Sequence, residues 1–173
     1  ALKQMQTGQV DLMIGLAYTA ERAQFIDYLQ PAYYQCWPAF YGQPVNVARI
    51  HQYNDLQGVK VGYVLNSAYF EPFNSDSRLD KHGVPTEEQL LRMVQRGHLP
   101  LMIGTDCQVD YALSQGNANR VSKADYRPAS PVTLYLGMSK HSPHQSLRQP
   151  LLVALQNLVA SGEIRVMAKR YQP

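Results

Sequence analysis

Residues 6–15 read Gln-Thr-Gly-Gln-Val-Asp-Leu-Met-Ile-Gly, and residues 95–104 read Gln-Arg-Gly-His-Leu-Pro-Leu-Met-Ile-Gly. Gln, Gly and the Leu-Met-Ile-Gly run recur at the same spacing, offset by 89 residues. Gly8 and Gly97 stand where a helix end favours a left-handed residue. The apolar runs at 10–16 and 99–103 then read as short buried strands. Two helix–glycine–strand junctions in one chain predict two related α/β lobes, each with a strand ending in Ile-Gly. In open α/β sheets, ligands collect beyond the carboxyl ends of the strands. Thr19 and Arg22 follow the first strand, Thr105 and Asp106 the second. Facing lobes would thus set a cation and an anion across one cleft.

Working outward, the opening residues 1–6 read as the end of a helix. Thr19, with Ala-Glu-Arg behind it, can cap a short helical turn. Residues 25–28 are extended, Pro31 is a break, and 33–41 are aromatic and β-prone. Gly42-Gln43-Pro44 breaks the chain again. After punctuation at 53–58, a strand is expected over 59–65, with Asn66 or Ser67 capping a short helix through Phe70 and Phe73. Pro85-Thr86-Glu87-Glu88 opens a helix with Leu90, Leu91 and Val94 on one face. Helical residues are expected over 109–113, a short extended piece at 120–121 and a strand at 134–138. Residues 147–171 hold one or two helices interrupted at Ser161-Gly162.

A length of 173 residues at 45% hydrophobic content supplies ample core. No apolar run approaches the ~18 residues of a membrane span. Sixteen Lys and Arg against thirteen Asp and Glu leave +3, spread without a basic block, which argues against a nucleic-acid partner. The five histidines sit mostly beside Pro, Gly or Ser, in expected surface turns. Cys36 and Cys107 form no CxxC, and no Cys/His cluster has zinc spacing. One disulfide is possible, but sequence does not fix their separation. Walker, GxGxxG and GxSxG signatures are absent, so neither a metal nor a cofactor is expected. The chain opens without Met or a secretory leader, inside a helix pattern. The expectation is an export signal removed with more of the N-terminus, or a cut made for another reason.

The stretch Thr19-Ala20-Glu21-Arg22, Ile26-Asp27-Tyr28, Pro31-Ala32-Tyr33-Tyr34 resembles a motif of the periplasmic solute-binding proteins of polar amino-acid ABC transporters (family 3). That motif runs T-x-E-R-x-x-x-x-D-F-S-x-P-Y-Y. Asp55-Leu56-Gln57-Gly58-Val59-Lys60-Val61-Gly62 is similar to the opening of that family's second lobe. Asp106 matches its ligand-contacting Asp, and Ser161-Gly162-Glu163-Ile164 with Lys169-Arg170-Tyr171 its closing helices.

The resemblance implies a two-lobed α/β clamshell of the type II periplasmic-binding-protein kind. Lobe 1 would comprise 1–40 and 131–173, and lobe 2 residues 41–130. Family members carry a further β-α-β unit of roughly 30 residues or more ahead of the segment matching Ala1, so the first lobe is expected to be incomplete. It further implies non-catalytic periplasmic binding of a small zwitterion, closed between the lobes by a hinge, for delivery to an ABC permease.

Arg22 would hold the α-carboxylate, since a guanidinium fork matches two carboxylate oxygens. Asp106 would take the ammonium, with Thr105 beside it. The backbone of Gly15 and Ala17 would add polar contacts, and the turn at Asn66-Ser67-Ala68, opening a helix, would offer amides to the carboxylate. Each residue has a plainer reading. Arg22 could pair with Glu21 on the surface, Asp106 could cap a helix, and Asn66 could be an N-cap. Departures from the pattern fall on the site. Ala17 stands where the family has a hydroxyl residue, and Leu65-Asn66-Ser67-Ala68-Tyr69 has no glycine where the family has a Ser-Gly-Thr-like loop. The sequence also allows the same clamshell as a sensor domain of a membrane receptor or kinase, or a dehydratase-like enzyme acting on a prephenate-like acid.

Overall fold

The computed structural model describes residues 1–116 and 120–171. The chain forms two compact units, Ala1–Gln35 with Thr133–Tyr171, and Cys36–Val132. It therefore passes from one unit to the other twice.

In the first unit, α1 (Leu2–Gln6) leads into β1 (Leu12–Ala17), followed by β2 (Ile26–Cys36), the returning β8 (Val132–Ser139), and helices α5 (Arg148–Ala160) and α6 (Glu163–Lys169). The sheet order is β1-β8-β2, with β1 and β8 antiparallel. Met5, Leu16 and Ile26 form one buried cluster, and Leu29, Met138 and Leu155 another. Buried Ser139 donates its hydroxyl to the Met5 carbonyl at 2.5 Å, fastening α1 to β8. Gly162, at φ +75°, separates α5 from α6 where the sequence predicts an interruption. No single helix among the described residues is long and apolar enough to cross a membrane.

The second unit holds β3 (Pro38–Gly42), α2 (Pro44–Val47), β4 (Val61–Val64), β5 (Lys81–Val84), α3 (Glu87–Gln95), β6 (Leu101–Thr105), α4 (Asp106–Gln115) and β7 (Ser122–Lys123). Its sheet runs β5-β4-β6-β3-β7. The strands β4, β5 and β6 are mutually parallel and β3 runs against β6. Leu101 and Ile103 of β6 face a core of Phe40, Phe70 and Phe73, while Met102 packs with Leu90, Val94 and Val109 on the other face. Covering both faces explains why β3 and β6 are buried throughout.

The two repeat copies share their junction geometry. Gly8 and Gly97 both take φ +74°. Gly8 N–H donates to Met5 and Gln9 N–H to Gln4; Gly97 N–H donates to Val94 and His98 N–H to Met93. Both are the paired 5→2 and 6→1 bonds that satisfy a helix's last carbonyls.

Three expectations are corrected. Pro31 does not break the chain: β2 runs through it, with a cis Gln30–Pro31 bond. No helix follows Asn66. That residue takes φ +61°, which Asn tolerates, and Ser67 N–H closes a turn onto the Val64 carbonyl, leaving 67–76 in turns and irregular backbone. The helix expected over 109–113 starts three residues earlier, at Asp106.

Candidate functional site

In the first unit the sequence nominates Gly15, Ala17 and Arg22. Between the pairs Met13↔Gly137 and Leu16↔Tyr135 the register shifts, so Ile14 and Gly15 form a bulge. Gly15 adopts φ +73°, and its N–H donates to the Tyr33 hydroxyl at 2.9 Å. Thr19 caps the next turn, its Oγ1 accepting from Arg22 N–H at 3.2 Å. That cap aims the Arg22 guanidinium back at the strand end, where Nη1 donates to the Ala17 carbonyl at 2.9 Å. Tyr28 donates its hydroxyl to the same carbonyl at 3.1 Å. Arg22 and Ala17 are thus brought together, and the Ala17 carbonyl receives two donors. Partial burial pushes the Tyr28 hydroxyl up, opposed by the Arg22 charge beside it. Tyr18, 58% exposed, lies against Tyr28 with ring centroids 5.1 Å apart. Asp27 of the same stretch pairs with Arg148 of α5, a structural tie.

In the second unit, parallel pairing brings the carboxyl ends of β4, β5 and β6 to one edge of the sheet. Asn66 and Ser67 follow β4, Glu87 opens α3 after β5, and Thr105 and Asp106 join β6 to α4. Thr105 is nearly buried, its Oγ1 donating to Gln108 Oε1 at 3.2 Å. Asp106 Oδ1 accepts from the backbone N–H of Trp37 at 2.8 Å and of Cys107 at 2.7 Å. Cys36 and Cys107 form a disulfide, with Cα atoms 5.6 Å apart. With Asp106 they crowd three ligand-type atoms together, but the sulfurs are bonded to each other and are not thiolates. The loop after β4 is not the opening of a helix, so the nest of helical amides expected at Asn66–Ala68 is absent. Tyr69 instead reaches back, its hydroxyl accepting from Val64 N–H at 3.2 Å.

Sequence reasoning gave Glu87 no ligand-binding role. Thr86 Oγ1 accepts from Gln89 N–H and fixes the helix start, which puts Glu87 in the first turn of α3, half-buried. Burial pushes its carboxyl up to about 7. The signal lay in Pro85-Thr86-Glu87, a helix start directly after a strand. That reading needs β5, and Lys81-His82-Gly83-Val84 has no apolar run to announce a strand.

No family model and no curated protein matches the sequence. Solved structures do. An amino acid ABC transporter substrate-binding protein from Streptococcus pneumoniae, bound to L-arginine, superposes with a TM-score of 0.84 at 22% identity, over 99% of this chain and 71% of that one. A periplasmic binding protein from Salmonella typhimurium, described as highly specific for arginine, gives 0.81 at 18%, over 99% and 76%. A histidine kinase sensor domain with similarity to periplasmic binding proteins gives 0.81 at 16%, over 98% and 73%. This chain has the α/β fold of the periplasmic binding proteins.

Proposed function

We propose that the protein is a non-catalytic periplasmic binding protein that captures a small polar solute of the amino-acid class and delivers it to an ABC permease. The observation carrying this reading is Arg22, whose guanidinium is held at the carboxyl end of β1 by the Ala17 carbonyl, within a fold shared with amino-acid-binding proteins. Arg22 is the proposed partner of the solute carboxylate and Asp106 of its ammonium. Gly15, Ala17 and Thr105, at the same strand ends, are proposed to add polar contacts, while the loss of the amide nest at Asn66 and Ser67 removes the contact expected from them. No cofactor or metal is needed for such a role.

The test is a thermal-shift screen against the standard amino acids and several dicarboxylates, followed by calorimetry. A ligand bound only by the native state raises stability by about 2.7 kcal/mol at a hundredfold excess over Kd. Arg22→Ala should keep a cooperative melt and weaken binding by about tenfold or more, the scale of a charge-assisted hydrogen bond. Retained affinity, or no shift with any compound, overturns the reading.

The likeness to a histidine kinase sensor domain supports a second reading, in which the same site reports solute to a membrane receptor. The membrane partner separates the two: a permease for transport, a kinase for sensing.

A further inference from the structure

The acidic residues of the second unit are almost all engaged. Asp76 lies on Arg78, Glu88 on Arg92, Asp110 on Lys123, and Asp106 on the Trp37 amide. Among the described residues of this unit, every Asp and Glu has a hydrogen bond or ion pair except Glu87. Glu87 is also the described acid of this unit whose carboxyl is pushed up, and burial is the cause. A carboxylate drawn from water without a partner costs free energy. The place of Glu87 in the first turn of α3 offsets part of that cost, yet burial still pushes the carboxyl up.

The surroundings of Glu87 show where it lies. A Cβ on Gly104 would stand 3.7 Å from Glu87 Oε2 and 2.4 Å from Val109 Cγ2. The carboxylate therefore rests over the end of β6, immediately before Thr105 and Asp106. Gly104 and Met102 of β6 and Val109 of α4, the nearest neighbours around Gly104, carry no ionisable group. The charge of Glu87 in turn helps raise the Tyr69 hydroxyl, in the loop after β4. Among the described residues of this unit no Lys or Arg is ion-paired with Glu87, and a carboxylate's strongest partners are ammonium and guanidinium groups.

We infer that Glu87 is a specificity-determining residue, a ligand-facing carboxylate that selects amino-acid solutes whose side chain ends in a cation. This rests on the amino-acid-binding reading above. Charging of Glu87 is completed as pH rises through about 7, so preference for a cationic side chain should strengthen across that range and fade below it.

The experiment compares L-arginine with L-citrulline, a neutral analogue of the same shape, by calorimetry. At pH 8.5 the protein should bind arginine about ten- to a hundredfold more tightly, the scale of a charge-assisted bond in a half-buried site. Glu87→Gln should bind the two within about threefold of each other, that preference being lost with the charge, while keeping its citrulline affinity. Lowering the pH to 5.5 should erase the preference of the parent protein and leave the variant unchanged. A variant that keeps the arginine preference, or loses both ligands equally, overturns the inference and leaves the amino-acid reading standing. So does a parent protein that binds amino acids but does not favour arginine. Binding of no amino acid at all overturns both. Should Glu87→Gln fail to melt cooperatively, the pH dependence of the parent's arginine-to-citrulline ratio decides alone.

Discussion

Trp37 and Asp106 hold each other by a reciprocal pair: the Trp37 N–H donates to Asp106 Oδ1 at 2.8 Å, and the Asp106 N–H donates to the Trp37 carbonyl at 2.9 Å. The side-chain oxygen also accepts from Cys107 N–H. Asp106 is therefore both a fastener between the start of the second unit and α4, and the proposed ammonium partner.

These two roles separate by substitution. Asp106→Asn keeps an acceptor oxygen for the two amides and removes the charge. It should melt within a few degrees of the parent while binding amino acids more weakly. Asp106→Ala also strips the amides of their acceptor and should cost roughly 1–2 kcal/mol of stability. Equal destabilisation by both, read by urea unfolding, would reduce Asp106 to its fastening role.

The disulfide beside this pair closes a loop of 71 residues in sequence separation. In the chain-entropy account, removing a crosslink of that span costs roughly 4 kcal/mol. A Cys36→Ser, Cys107→Ser double variant should unfold at markedly lower urea than the oxidised parent. Adding dithiothreitol to the parent should reproduce that shift and have no effect on the variant. An unchanged midpoint would mean that β3–β6 pairing already fixes this segment.

The lobes were legible because the signal for them is local. A glycine forced to positive φ at a helix end, followed by an apolar strand, writes itself into six or seven consecutive letters, twice. The Thr19 cap on the turn at Arg22 was legible for the same reason, since donor and acceptor lie three residues apart. What failed depended on pairing across the chain. Lys81–Val84 becomes a strand because β4 offers it a parallel edge, not because of its own apolar content. Residues 67–76 lack the helix that Asn66 and Ser67 announce because Asn66 goes left-handed. The Cys36–Cys107 bond and the Trp37–Asp106 pair join segments some 70 residues apart, a separation about which local pattern is silent.

Gly8 and Gly97 share one conformation but not one environment, which gives a paired test. Alanine at either must adopt the left-handed region, costing roughly 1–2 kcal/mol. At Gly97 the new Cβ would meet only the Gln43 amide nitrogen at 3.4 Å. At Gly8 it would stand 2.6 Å from the His141 carbonyl oxygen, and backbone must move. Gly8→Ala should therefore be clearly the more destabilising in urea unfolding. Equal losses would mean that the turn before His141 yields freely.

Glu87 sets a stability that runs against its proposed use. Its folded carboxyl titrates near 7, above its ordinary 4.5, so the native state holds that proton more tightly than the unfolded chain. The group's favourable contribution is complete below pH 4.5 and is lost as pH rises through 7. Glutamine at this position has nothing to ionise. Glu87→Gln should match the parent's ligand-free stability near pH 4.5 and exceed it at pH 8 by on the order of 1–2 kcal/mol, after discounting for partial exposure. A difference independent of pH would attribute the effect to packing, and a parent more stable at pH 8 would show the carboxylate already satisfied within the protein. The expected sign, a more stable protein that discriminates less well between arginine and citrulline, is the trade-off of a binding site that keeps a charge in reserve.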